Sequence, residues 1–179
     1  MFWTKNKGGK KPGTTIIGLV YSGRAAIGTD FDVSKENCEE IGLVDRCTRA
    51  LVGFTGDHRG SDLPKRFVHK LDTCEDIHNT CREISHEWQS DELFSEISGK
   101  LVALGRDYAY LITPGKADRI ETGVIAVGPG EEYALAAIRA ILAQPHVEES
   151  VEEIVKKAFN VAAGVCVLVN SNATIISLN

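Results

Sequence analysis

The bond between Gly13 and Thr14 is the place in this sequence where chemistry could be concentrated in a single residue. If that bond is cut, Thr14 carries both a hydroxyl group and a free α-amine, which can act as nucleophile and base. An α-amine titrates near ~8 when unperturbed, so much of it can accept a proton near neutral pH. The plainer interpretation is a loop that runs into a strand, since glycine before β-branched residues often marks a strand start. The bond alone leaves both interpretations open.

Length and composition indicate one globular domain with a well-filled core. The chain has 179 residues, of which 43% are hydrophobic and 25% are charged. No apolar run approaches the length of a membrane span, so we predict a cytoplasmic protein that makes no membrane contact. Five cysteines without close CxxC pairs argue against a disulfide framework and against a zinc ribbon. We therefore expect reduced thiols, no cofactor and no metal.

Charge is distributed unevenly along the chain. Residues 1–13 contain four lysines and no acidic residue, whereas the whole chain has a formal net charge of −5. The remainder is therefore strongly acidic, which argues against nucleic acid as a partner because phosphate binding requires a basic face. We predict that 1–13 is a basic propeptide or flexible lead and that 14–179 forms a single domain.

The spacing of apolar residues predicts groups of strands that alternate with pairs of helices. Predicted strands lie at 14–20, 24–29, 41–44, 48–54, 100–104, 108–113, 124–127, 165–169 and 174–178. Predicted helices lie around 63–71, after an N-cap at Thr73, at 131–143, and after a capping box formed by Ser150 and Glu153. A turn at Asp45-Arg46 is expected in the second hairpin. This order implies the α+β class and a four-layer αββα sandwich, with two stacked sheets between two helical layers.

Several short motifs occur along the chain in a specific order. They are Gly13-Thr14-Thr15-Ile16, Gly28-Thr29-Asp30, Gly53-Phe54-Thr55-Gly56, Trp88-Gln89-Ser90-Asp91, Leu111-Ile112-Thr113, Ile125-Ala126-Val127-Gly128, Tyr133-Ala134, and Val165-Cys166-Val167 before Asn170. On these motifs the chain, from Thr14 to Leu178, resembles the proteasome β-type N-terminal nucleophile hydrolases, and among them the HslV-type peptidases. The resemblance implies the same four-layer sandwich.

The resemblance also implies an activity and a set of partners. Thr14 would be the nucleophile of a threonine endopeptidase, freed by autocatalytic cleavage after Gly13. Asp30 would lie beneath it and hold the local charge network, and the Gly56 N–H would donate to the oxyanion. Proteins of this type are homo-oligomers that form double hexameric rings. Their active sites lie in an enclosed chamber and hydrolyse unfolded proteins or peptides, which an HslU-like AAA+ ATPase delivers.

Three supporting residues of that family are not found at the matching positions of this sequence. The family lysine before the second hairpin is replaced by Cys38-Glu39-Glu40-Ile41, and the nearest cations are Lys35 and Arg46. The serine of the Gly-Ser-Gly loop is Pro129, which lacks a hydroxyl and an N–H, and an expected aspartate is Gly164. These differences keep a second interpretation open, namely a catalytically degenerate structural or scaffold subunit with the same fold.

Other polar groupings have ordinary structural interpretations beside their functional ones. Cys74, His78 and Cys81 recur at helical spacing and could bind a metal, but their apolar neighbours favour buried cysteines in helix packing. Asp57-His58-Arg59 replaces the small residues of the family, which leaves a third interpretation, an amidase for a small non-peptide substrate. His58 itself could be a general base or a polar loop residue. Gly128-Pro129-Gly130 could present N–H groups to an anion or form a simple turn.

Overall fold

Two antiparallel sheets make up the centre of the computed structural model, which describes residues 13–31 and 40–178. The first sheet consists, in spatial order, of β8 (Val124–Val127), β1 (Ile16–Tyr21), β2 (Arg24–Thr29) and β9 (Thr174–Leu178). The second consists of β3 (Glu40–Arg46), β4 (Leu51–Asp57), β5 (Gly99–Leu104), β6 (Ala109–Thr113) and β7 (Lys116–Arg119). The predicted lead, apart from Gly13, and the candidate cation Lys35 lie outside the described residues.

Among the described residues, four α-helices cover the outer faces of the two sheets. They are α1 (Leu63–Thr73), α2 (Ile77–Ser90), α3 (Glu131–Leu142) and α4 (Val151–Val165). The first two pack on the five-stranded sheet, and the last two pack on the four-stranded sheet. The predicted α+β class and the four-layer αββα sandwich are thereby confirmed. No helix in the described part of the chain is long and apolar enough to cross a membrane.

Side chains of the strands alternate between the helical layers and the space between the sheets. In β1, Ile16 packs between the sheets and Ile17 packs against the layer formed by α3 and α4; both are fully buried. The layer between the sheets also contains Ile27, Leu51 and Val102. Because both faces of each sheet are covered, the strands read as nearly continuous apolar runs.

Helix ends follow the capping chemistry of the sequence, with one correction. Helix α4 begins with the predicted capping box, in which Ser150 and Glu153 each bind the other's backbone N–H. Helix α2 does not begin after Thr73 as predicted. Its N-cap is Asp76, whose carboxylate accepts hydrogen bonds from the N–H groups of His78 and Asn79.

The second hairpin has its turn later than predicted. Strand β3 continues through Asp45 and Arg46, which pair with β4 residues Val52 and Leu51. The turn is closed at 47–50, where the Cys47 N–H donates to the Ala50 carbonyl at 2.9 Å. The sheet pairing therefore overrides the local turn preference of Asp-Arg.

One predicted strand is absent from the structure, and one observed strand was not predicted. The apolar run 165–169 is not a strand, because α4 extends to Val165 and the Cys166 N–H caps it by donating to the Ala162 carbonyl at 2.7 Å. Strand β7 was not predicted, because its sequence, Lys-Ala-Asp-Arg, is polar. It lies at the edge of its sheet, where charged residues protect an exposed strand from pairing with other chains.

Candidate active site

Thr14 lies where the space between the two sheets opens to one side. Strand alternation places it on the same face as Ile16, whereas Thr15 shares the helix-facing side with Ile17. Thr14 is only 6% exposed, and its methyl group packs against Gly42 of β3, where a Cβ atom would overlap it. The residue is therefore enclosed by strands of both sheets.

Hydrogen bonds hold the backbone on the C-terminal side of Thr14. The Thr55 hydroxyl of β4 donates to the Thr14 carbonyl oxygen at 3.1 Å. The Asp30 carboxylate, 7% exposed, accepts from the Thr15 N–H at 2.8 Å and from the Asn170 N–H at 3.0 Å. We call these three hydrogen bonds the Thr14 clamp. None of them uses the Thr14 hydroxyl, which would act as the nucleophile, or the Thr14 nitrogen, which would act as the base.

The clamp leaves one side of Thr14 open to a cleft of about 800 Å³. The described residues that line it are Gly13, Thr14, Thr55, Gly56, Ser98, Gly99, Lys100, Gly128, Pro129, Tyr133, Cys166 and Leu168. A volume of this size is typical of sites that bind small molecules or peptide side chains. Thr14 and Gly56 therefore share one cleft, and Asp30 lies behind it in the clamp.

Close approach of the chain at this cleft requires glycine at two positions. Gly56 of β4 has φ +153°, pairs with both Ile41 and Gly99, and could not carry a Cβ without overlapping the Ser98 carbonyl oxygen. Gly128 has φ +111°, and a Cβ there would overlap the Thr14 carbonyl oxygen. A larger residue at position 56 would push β4 away from Ser98, and one at position 128 would push that segment away from Thr14.

Thr15 is a site residue that the sequence reasoning did not single out. It is fully buried, and its hydroxyl accepts a hydrogen bond from the Gly130 N–H at 3.4 Å. Gly130 is the N-cap of α3, so this bond ties the start of that helix to β1. Strand alternation was the available signal, because it places Thr15 on the same helix-facing side as buried Ile17, where a polar side chain needs a partner.

Arg46 is not placed where it could replace the family lysine. It lies four residues beyond Gly42 on β3, roughly 13 Å along the strand. Its guanidinium is exposed and lies 3.4 Å from the Ser177 carbonyl oxygen. The β3 residue that faces Thr14 is Gly42, which has no side chain.

The other two positions that differ from the family pattern are Pro129 and Gly164. The Pro129 carbonyl lies 3.7 Å from the Cys166 thiol, which is its hydrogen-bond donor at the cleft wall. Gly164 lies in the last turn of α4, and a Cβ there would meet no atom within 4 Å. An acidic side chain built directly at position 164 would therefore point into open space.

The segment Asp57-His58-Arg59 forms its own small structure outside the cleft. Arg59 binds the Asp57 carboxylate through two nitrogens at 3.0 and 2.7 Å, which lowers the pKa of Asp57 to about 2. His58 is 62% exposed and lies 3.4 Å from the same carboxylate. Because none of the three lines the cleft, they do not support the amidase interpretation.

Cys81 of α2 is part of the hydrophobic core beneath the helices. Cys81 is fully buried in the layer under α1 and α2, and this burial raises the pKa of its thiol to about 12. The His78 ring nitrogen Nδ1 lies 2.9 Å from the Tyr110 hydroxyl. Within the described residues, no group of three or more His, Cys, Asp or Glu side chains is arranged to hold a metal ion.

Known proteins share both the sequence pattern and the fold. No family model matches the chain. The ATP-dependent protease subunit HslV of Caldicellulosiruptor saccharolyticus is 27% identical to it over 175 residues, covering 92% of this chain and 98% of that protein. The chain is an HslV-like protein with the proteasome-type fold. The resemblance indicated by the sequence motifs is confirmed.

Solved structures agree with this assignment over the same length. HslV from Trypanosoma brucei matches with a TM-score of 0.75 and 20% identity, covering 92% of this chain and 99% of that one. BPH from Thiobacillus denitrificans matches with a TM-score of 0.67 and 13% identity, covering 92% and 97%. BPH has also been solved in complex with epoxomicin. These likenesses establish the fold across the described sheets and helices.

Proposed function

We propose that this HslV-like protein is an N-terminal threonine peptidase that hydrolyses peptide bonds of unfolded proteins. The observation that carries the proposal is the Thr14 clamp: Asp30 and Thr55 fix the backbone of Thr14 at the edge of a cleft. The clamp occupies the Thr14 carbonyl and the Thr15 N–H, and leaves the reactive groups of Thr14 to the substrate. The HslV relative, named as a protease subunit, supports the same reaction class.

The reaction begins when the bond between Gly13 and Thr14 is cleaved. Thr14 Oγ then attacks the carbonyl carbon of a substrate peptide bond while the α-amine accepts the hydroxyl proton. The Gly56 N–H stabilises the oxyanion, a contribution worth about 3 kcal/mol in comparable sites. The amine returns the proton to the leaving nitrogen, and water hydrolyses the resulting ester to restore the hydroxyl.

We also propose the organisation of the working enzyme. Residues 1–13 are the propeptide, and 14–179 form the single catalytic domain. Copies of the chain assemble into a double hexameric ring in the cytoplasm, and an HslU-like AAA+ ATPase delivers unfolded substrate to the enclosed cleft. The relative, called an ATP-dependent protease subunit, supports both the assembly and the partner.

Intact mass measurement and N-terminal sequencing of the purified full chain test the proposal. We expect the wild-type chain to begin at Thr14 and Thr14→Ala to retain residues 1–13, because the variant lacks the hydroxyl that attacks the Gly13 carbonyl. Thr48→Ala is the matched control, since Thr48 is an exposed turn residue, and it should be processed like the wild type. An unprocessed wild-type chain that hydrolyses no peptide would overturn the proposal.

A further inference from the structure

Lys100 enters the cleft from a strand that the sequence motifs do not mark as functional. It lies directly opposite Thr55 in the pairing of β4 with β5. Directly opposed residues of antiparallel strands place their side chains on the same face of the sheet. Since the Thr55 hydroxyl contacts the Thr14 backbone, Lys100 leaves the five-stranded sheet on the face that is turned toward Thr14.

Lys100 differs in charge from its surroundings. Of the described residues that line the cleft, it is the one with an ionised side chain; the others are glycine or uncharged residues. Its side chain is 47% exposed, so the ammonium group can meet a ligand from solvent. The wall that the described residues form therefore carries a single positive charge among uncharged side chains.

The ion-pair partner of Lys100 is held loosely. The Lys100 Nζ lies 4.0 Å from Glu131 Oε2 at the start of α3, the helix whose Tyr133 lines the cleft. An exposed ion pair at this separation contributes little to stability. A substrate carboxylate that enters between β5 and α3 can therefore replace Glu131 as the partner of Lys100.

We propose that Lys100 makes the cleft selective for peptides with Asp or Glu close to the scissile bond. The inference rests on the proposed peptidase function and names its substrate class. The ammonium group binds the substrate carboxylate, while Tyr133 and Leu168, which line the same cleft, contact the methylene groups of the side chain. Glu131 competes with the substrate and limits the preference.

Matched fluorogenic peptides test this selectivity. Each carries Glu, Gln, Leu or Lys at one of three positions on the N-terminal side of the scissile bond, and kcat/KM is measured for each. At one of these positions we expect wild-type enzyme to prefer Glu over Gln by about fivefold, the size of one exposed charge pair. The preference should weaken as salt is raised.

Variants of Lys100 and Glu131 test whether this ion pair causes the preference for Glu over Gln. Lys100→Met should abolish the preference for Glu over Gln, measured as the ratio of the two kcat/KM values. Lys100→Glu should favour the Lys peptide, and Glu131→Gln should increase the preference for Glu. Lys116→Met is the matched control, because Lys116 lies on the edge strand β7, is 70% exposed and pairs with Asp118.

Two results would separate failure of this inference from failure of the proposed function. An unchanged ratio of Glu to Gln hydrolysis in Lys100→Met, with the Leu peptide still turned over, overturns the inference alone. If wild-type enzyme hydrolyses none of the peptides, the peptidase proposal fails, and fluorescence anisotropy with labelled Glu and Gln peptides decides the inference. Equal Kd values would refute it, whereas tighter Glu binding that is lost in Lys100→Met would support it.

Discussion

The layer between the two sheets has an apolar region and a polar region on the same strand faces. On β1 the fully buried Ile16 is preceded, two residues earlier on that face, by Thr14. On β4 the buried Leu51 is followed, four residues later on that face, by Thr55. The candidate active site is therefore a continuation of the hydrophobic core rather than an added structure.

Strands β2 and β5 also change from apolar to polar residues along the face between the sheets. Strand β2 passes from buried Ile27 to Thr29, whose hydroxyl donates to the Gly42 carbonyl at 3.3 Å. Strand β5 passes from Lys100 to buried Val102. Removal of apolar surface from water stabilises one region, whereas hydrogen bonds to buried polar groups hold the other. Substitutions in the polar region should affect activity first, and those in the apolar region should affect stability first.

The largest expected effect is on activity, at Thr14. Thr14→Ala removes the nucleophile, so we expect kcat/KM for a peptide to fall on the order of 10³-fold or more. The free energy of unfolding should change by no more than about 1 kcal/mol, because one hydroxyl and one methyl are lost. Peptide hydrolysis and urea denaturation of the same preparation measure both. Hydrolysis within tenfold of wild type would remove Thr14 from the mechanism.

The apolar region should respond in the opposite way. Ile27→Ala, at a fully buried position between the sheets, should lower the free energy of unfolding by about 2–5 kcal/mol because it leaves a cavity. Leu93→Ala is the control, since Leu93 is 79% exposed, and should have little effect on urea denaturation. If the folded fraction of Ile27→Ala loses as much activity as Thr14→Ala, the two regions are not separable.

Substitution of Asp30 should affect both stability and activity. Asp30→Asn should lower the free energy of unfolding by about 1–3 kcal/mol, because an amide nitrogen would face one of the N–H donors from Thr15 or Asn170. It should also lower kcat, since the Thr14 clamp loosens. Denaturation and initial-rate measurements check both, with Asp107→Asn in an exposed turn as control. Wild-type kcat in Asp30→Asn would show that the clamp does not position the nucleophile.

The smallest expected effect is at Thr55. Thr55→Val keeps the shape of the side chain and removes the donor to the Thr14 carbonyl, which should cost about 1 kcal/mol of stability. We expect a decrease in kcat smaller than that of Asp30→Asn. Thr48→Val, in an exposed turn, should leave both quantities unchanged. A larger loss of kcat than in Asp30→Asn would make Thr55 the main support of Thr14.

The sequence by itself determined the order of elements and the general place of the site. Apolar periodicity, turn residues and the capping box of α4 are local signals, so most helices and strands could be predicted from short segments. The family resemblance also named Thr14, Asp30 and Gly56 as candidate site residues, and in the structure Thr14 and Gly56 line one cleft with Asp30 behind it. Local signals were weakest at 165–169, where the end of α4 and a turn closed by the Val169 N–H and the Cys166 carbonyl replace the predicted strand, and at polar β7.

Only the tertiary structure decided which side chains meet at Thr14. Asp30 finds its second donor 140 residues away at Asn170, and Thr55 reaches Thr14 across 41 residues. The role proposed for Lys100 depends on its register opposite Thr55. A shift of one residue in that register would turn its side chain toward the helices. Register is set by the packing of whole sheets, so no local segment of the sequence encodes it.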